Sequence, residues 1–220
     1  MMSGSILSML DPDLVVQEAL YGFIMALTLV LTCQLGIAHY DSRETLILAI
    51  VGMDFVWGAI DMVVFYRVDI LAHSRRVHLY LKVREATDRE EQIRLLEHEF
   101  DGTVFRMGDV SNRRRMIEEF LDGDFTGLND LQRDRRHYLF NAVTAFVVSV
   151  STVIPVILCL VLVEDQTMSL LFSSTLSSLA LFFIGYAISP SDNRGYRVGT
   201  GLSIATIGLV FTVVAALLGG

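Results

Sequence analysis

The chain has 220 residues, of which 53% are hydrophobic and only 19% charged, with a formal net charge of −8. Its mean hydropathy of +0.53 is higher than that of an ordinary soluble domain. No basic tail or aromatic-interleaved basic patch follows a phosphate backbone, which argues against nucleic-acid binding. The two cysteines, Cys33 and Cys159, both sit in apolar runs and offer neither a disulfide framework nor a zinc spacing.

In chain order, Met1 to Asp13 carries no Lys or Arg. It lacks the positive leader of a cleaved signal peptide, so the first apolar run is expected to be retained. Five runs are long enough to cross a membrane: about Leu14–Ala38, Thr45–Tyr66, Tyr138–Val163, Met168–Ile188 and Val198–Leu218. In lipid each must be helical to satisfy its own backbone. Pro155 should kink the third. Small residues along the fourth (Ser169, Ser173, Ser174, Ser177, Ser178) and fifth (Gly195, Gly199, Gly201, Gly208) suit close helix packing.

Between the second and third runs lies a charged segment. Of the 17 Lys and Arg residues, 14 fall between Arg67 and Arg136. Val77, Tyr80, Leu81, Ile93, Leu96 and Phe100 recur at helical spacing, and Met116, Phe120 and Leu121 form a second pattern. Gly102, Gly108, Gly123 and Gly127 punctuate the segment. The expectation is an all-α integral membrane protein with five transmembrane helices and a small helical cytoplasmic insert. The parts are 1–68 (helices 1 and 2), 69–136 (the insert) and 137–220 (helices 3 to 5). The positive charge places the insert in the cytoplasm, the N-terminus with it and the C-terminus outside.

Ionisable residues inside apolar runs are costly and mark function. Glu18 lies one turn into the first run, in a stripe with Tyr21, Gly22, Met25 and Thr28. Asp54 and Asp61 lie seven residues apart in the second, on one helical face with Trp57 and Gly58 between them. The two runs pack antiparallel, which sets Glu18 and Asp61 at comparable depth and Asp54 near Met25. Carboxylates beside a thioether suit a divalent transition metal, and the same carboxylates carry protons. Structural hydrogen bonding of these acids is the alternative. In the insert, Glu90, Glu97, His98, Asp101, Glu119 and Asp122 fall at helical spacings that can gather a metal ion. The same residues serve equally as a solvated face paired with Arg89, Arg94 and Arg113 to Arg115. No phosphate loop, His-Glu-x-x-His or Gly-x-Ser-x-Gly motif is present, so no enzyme is expected.

The plan of five helices with an insert after the second resembles the vacuolar iron transporter family. Tyr21-Gly22-Phe23-Ile24-Met25-Ala26-Leu27-Thr28 resembles the start of that family's first helix. Trp57-Gly58-Ala59-Ile60-Asp61 resembles a second-helix pattern of shorter bacterial relatives. Ser151-Thr152-Val153-Ile154-Pro155 and Gly185-Tyr186 are similar to positions in its third and fourth helices. The resemblance implies a homodimeric, proton-coupled exporter of Fe²⁺ or Mn²⁺ in a bacterial inner membrane, with no tightly bound cofactor. It implies a pathway through Glu18, Met25, Asp54 and Asp61, with the insert's acids gathering metal. The competing expectation is a non-transporting scaffold or sensor whose insert docks partners.

Overall fold

The computed structural model describes residues 12–100, 109–123 and 131–218, without side chains for 99, 100 and 131–134. Asp101, Gly102, Gly108 and Gly127 lie outside the described residues. Among the described residues eight helices are formed: α1 (Pro12–Gln34), α2 (Arg43–Glu85), α3 (Arg89–Phe100), α4 (Val110–Leu121), α5 (Leu131–Ser151), α6 (Val153–Leu162), α7 (Gln166–Ala187) and α8 (Arg194–Leu217). No strand is found among the described residues. Five stretches, α1, α2, α5 and α6 together, α7 and α8, are long and apolar enough to cross a membrane. This is compatible with a multi-pass membrane protein. The chain divides into two compact units, one of residues 1–66 and 139–220, the other of residues 67–138.

Several helix ends differ from the hydropathic boundaries, each for a local reason. The first helix stops at Gln34, not Ala38, because Gly36 adopts a left-handed φ of 69°. There Ile37 N–H donates to Thr32 O and Gly36 N–H to Cys33 O, both at 3.0 Å, which closes the helix with its last carbonyls satisfied. α7 starts at Gln166 because Asp165 accepts from Met168 N–H at 2.8 Å. α8 starts at Arg194 rather than Val198 because Asn193 accepts from Gly195 N–H at 2.8 Å. The second apolar run does not end its helix. α2 continues unbroken to Glu85, since no Gly or Pro interrupts the sequence from Ala59 to Asp101. The third run breaks at Thr152, three residues before Pro155. Proline has no N–H for the Ser151 carbonyl, and the Thr152 amide is shared between Val148 O (3.3 Å) and Ser149 O (3.1 Å).

In the first unit, α7 packs against α1, α6 and α8, and α1 also packs on α8. The core is built from Ala26, Leu29, Val30, Leu46, Ile50, Val153, Val156, Leu160 and Leu170. Glycines set the closest approach. A Cβ at Gly201 would stand 2.8 Å from Phe182 O, and one at Gly185 would stand 2.8 Å from Ile204 Cβ. Gly199 has nothing within 4 Å and plays no such part. The serines of α7 turn inward at Ser169, Ser173 and Ser177, and Ser174 accepts a hydrogen bond from Gln34 Nε2 of α1 at 3.1 Å.

The second unit has its own small core of Val83, Ile93, Leu96 and Ile117. This corrects the phase expected for α4. Met116 and Phe120 are about half exposed, whereas Ile117 and Leu121 face the core. Leu81 is also exposed, and Val83 is buried in its place. Tyr138 Oη lies 3.3 Å from His73 Nδ1, joining the start of α5 to α2 within this unit.

Candidate functional site

The charged groups that lie farthest from solvent are two carboxylates of the first unit. Glu18 and Asp54 each have no exposed surface, and none of their four carboxylate oxygens has a hydrogen-bond partner. A buried charge is ordinarily paired, and an unpaired one is among the most expensive features a fold can keep. Asp61 is partly exposed and lies within electrostatic reach of Glu18. The antiparallel register that the sequence gives α1 and α2 accounts for that proximity. Met25 is half-buried on α1, two turns beyond Glu18.

Glycines bring three helices together here. At Gly22 of α1, one turn from Glu18, a Cβ would collide with Thr152 Oγ1 and stand 2.9 Å from Ser149 O. At Gly58 of α2, between Asp54 and Asp61, a Cβ would stand 3.3 Å from the Phe146 ring and 3.4 Å from Ser149 Cβ. The C-terminal end of α5 is thus wedged between α1 and α2 where both lack side chains. Phe55 and Phe146 meet edge to face at 5.3 Å beside this contact. Ser149 is fully buried, and its hydroxyl also has no partner.

The stripes expected from sequence hold in part. Gly58 is buried on the face of Asp54, whereas Trp57 is about half exposed and points away from it. Likewise Gly22 and Thr28 face inward with Glu18, but Tyr21 is exposed. Thr28 donates its hydroxyl to Ile24 O at 2.8 Å and is committed to its own helix. The place of Ser149 opposite both acidic helices was not expected from the sequence. The signal available was a hydroxyl within two turns of Pro155, in a run that also holds Thr144, Ser151 and Thr152.

In the second unit the acidic residues engage arginines. Asp122 accepts from Arg89 at 2.5 Å. Glu90 and Glu118 both bind Arg114, and Glu119 accepts from Arg115 at 3.0 Å. The hydrogen bond that Arg114 donates to Glu90, followed by the one it donates to Glu118, raises the Arg114 pKa above its ordinary value. Glu97 and His98 are exposed on α3, and Asp101 lies outside the described residues. Among the described residues no three His, Cys, Asp or Glu side chains are grouped so as to hold a metal ion, in either unit. Glu18 thus lies on α1 and Asp54 and Asp61 on α2, whereas Glu90, Glu118, Glu119 and Asp122 of the second unit are paired with arginines.

No protein-family model matches this sequence, no curated protein matches it and no solved structure matches its fold.

Proposed function

We propose that this chain is a multi-pass membrane transporter that moves a divalent transition-metal ion, Fe²⁺ or Mn²⁺, out of the cytoplasm in exchange for protons. The observation that carries the reading is the pair of fully buried carboxylates, Glu18 and Asp54, whose oxygens have no partner. A carboxylate kept in a dry interior without hydrogen bonds is stable there in its neutral form, or when a cation neutralises it. Alternation between those two states is the elementary step of proton-coupled exchange. Asp61, partly exposed and electrostatically coupled to Glu18, suits the entrance. Asp54 suits the dry middle, with the Met25 thioether as a soft donor that disfavours Mg²⁺ and Ca²⁺. The succession of Asp61 and Asp54 along α2 supports a pathway that hands an ion from acid to acid. The resemblance to vacuolar iron transporters supports the same direction of transport, a homodimer and a bacterial inner membrane. The lysine and arginine distribution supports a cytoplasmic insert and N-terminus and an external C-terminus.

The second reading is a scaffold of the same architecture, with the insert as a docking module. It draws support from the second unit, where Glu90, Glu118, Glu119 and Asp122 are occupied by arginines. A scaffold's buried acids should be satisfied by neighbours, which Glu18 and Asp54 are not.

The test is Fe²⁺ and Mn²⁺ flux into proteoliposomes with and without a pH gradient, comparing the natural chain with Asp54→Asn. Flux that requires both the gradient and Asp54 is the expected result. Absence of flux for both metals, from protein shown to be folded and inserted, would overturn the transporter reading in favour of the scaffold.

A further inference from the structure

α4 buries Ile117 in the core of the second unit, with Leu121 packed against it, and turns a different face outward. At about 100° per residue, Asn112, Arg113, Met116, Glu119 and Phe120 fall within about 60° of a line drawn through Met116. Asn112, Met116, Glu119 and Phe120 are exposed and Arg113 is half-buried. The next arginines of the helix are occupied, Arg114 by Glu90 and Glu118 and Arg115 by Glu119. Arg113 makes no ion pair among the described residues.

The outward face combines an apolar centre with opposite charges at its two ends. Met116 keeps about half its surface exposed, as does Phe120 one turn on. Arg113 lies three residues before Met116 and Glu119 three residues after it. A surface on which positive and negative groups stand at equal distances from one point is complementary to itself under a two-fold axis. If a second α4 lies antiparallel across that point, each Arg113 comes level with the Glu119 of the other copy, and the two Met116 side chains meet on the axis. Charges in such a seam fix orientation and register more than they add affinity. A membrane surface suits the face less well, because anionic headgroups repel the Glu119 carboxylate.

We propose that this face of α4 is a self-association surface, on which two copies of the chain pack their α4 helices antiparallel about Met116 with reciprocal Arg113–Glu119 pairs. One helix face is smaller than the roughly 1,000 Å² of a free-standing interface. The contact therefore operates between chains confined to one membrane, where their effective concentration is high. The inference rests on the homodimer proposed above, whose two copies it brings together in the insert, and is independent of transport.

The test uses the full chain carrying Cys33→Ser and Cys159→Ser in phosphatidylcholine–phosphatidylglycerol vesicles, oxidised mildly with copper phenanthroline. Helices packed about 8–10 Å apart, with Cα atoms on a radius of ~2.3 Å, bring two on-axis Cα atoms to about 4–5 Å, a separation that a disulfide spans. Met116→Cys should move most of the chain from 24.6 kDa to a reducible band of twice that mass. Ser111→Cys, exposed on the far side of α4, should not. Adding Arg113→Glu to Met116→Cys should abolish the band, and adding Glu119→Arg as well should restore it. Equal cross-linking at positions 111 and 116, or a band indifferent to Arg113→Glu, overturns the proposal. Subunit number is counted in the same vesicles by stepwise photobleaching of a fluorescent fusion. Two bleaching steps without a Met116→Cys band overturn the α4 contact and leave the homodimer standing, whereas single steps without a band overturn both. A bimane label on Met116→Cys that shifts to the blue only when phosphatidylglycerol is included, with no band, assigns the face to lipid and overturns the self-contact.

Discussion

The tightest contact in the first unit gives the sharpest test of the packing argument. Replacing Gly22 with alanine adds a Cβ that collides with Thr152 Oγ1 and stands 2.9 Å from Ser149 O and 3.1 Å from Thr152 Cβ. Two of these neighbours cannot yield cheaply. Ser149 O is backbone, and Thr152 Oγ1 is held by its own hydrogen bond to that carbonyl at 2.7 Å. Overpacking of this kind costs ~1–3 kcal/mol. Against it stands the ~0.5–1 kcal/mol that alanine gains over glycine inside a helix. Gly52 provides the control, because nothing lies within 4 Å of a Cβ there and Gly52→Ala collects the helical gain alone. The two variants should therefore differ by the steric term, ~1–3 kcal/mol, or roughly 2–12 °C in melting temperature for a chain of this size. Thermal melts in detergent followed by circular dichroism measure that separation. Thr152→Ala in the Gly22→Ala background removes the collision with Oγ1 and should recover part of the loss, while the contacts at 2.9 Å with Ser149 O and at 3.1 Å with the Cβ of position 152 remain. Equal melting temperatures for Gly22→Ala and Gly52→Ala would refute the close approach of α1 to α5.

Three further outcomes are expected. Asp54→Asn should melt at or above the natural temperature, because no hydrogen bond is lost; destabilisation of more than ~1 kcal/mol would show the carboxylate holding structure. In the second unit, Ile117→Ala should cost ~2–5 kcal/mol as a buried truncation while Met116→Ala stays within ~0.5 kcal/mol, a contrast that limited proteolysis of the insert reads directly. Asn193→Ala removes the side-chain acceptor at the start of α8 and should cost ~1 kcal/mol; an unchanged melt would mean that water replaces the cap.

Hydropathy alone was enough to place five long apolar helices, because a run of twenty apolar residues has few other homes. The helical period was enough to put Asp54, Gly58 and Asp61 on one face. It misassigned Trp57 and Tyr21, because a stripe drawn at i, i+3 and i, i+4 spans a wide arc and its edge can face either way. The same ambiguity exchanged Met116 for Ile117. The end of α2 was invisible to hydropathy, since polarity changes at Arg67 while nothing in the sequence stops the helix before Ala86. In the insert, the pairs Arg114–Glu118 and Arg115–Glu119 can be read at i, i+4 spacing. The pairs Arg89–Asp122 and Arg114–Glu90 join α3 to α4 and depend on tertiary packing. The unbonded hydroxyl of Ser149 is a matter of one rotamer, which residue identity does not encode.

The serines of α7 have a consequence for the first unit as a whole. Ser169, Ser173 and Ser177 spend their protons on Gln166 O, Ser169 O and Ser173 O. A backbone carbonyl accepts a hydrogen bond but holds no proton to hand on, so each of these bonds is a dead end for charge. Despite its row of hydroxyls, the buried serine face of α7 presents no free donor. A proton moving along that face would first have to break these bonds.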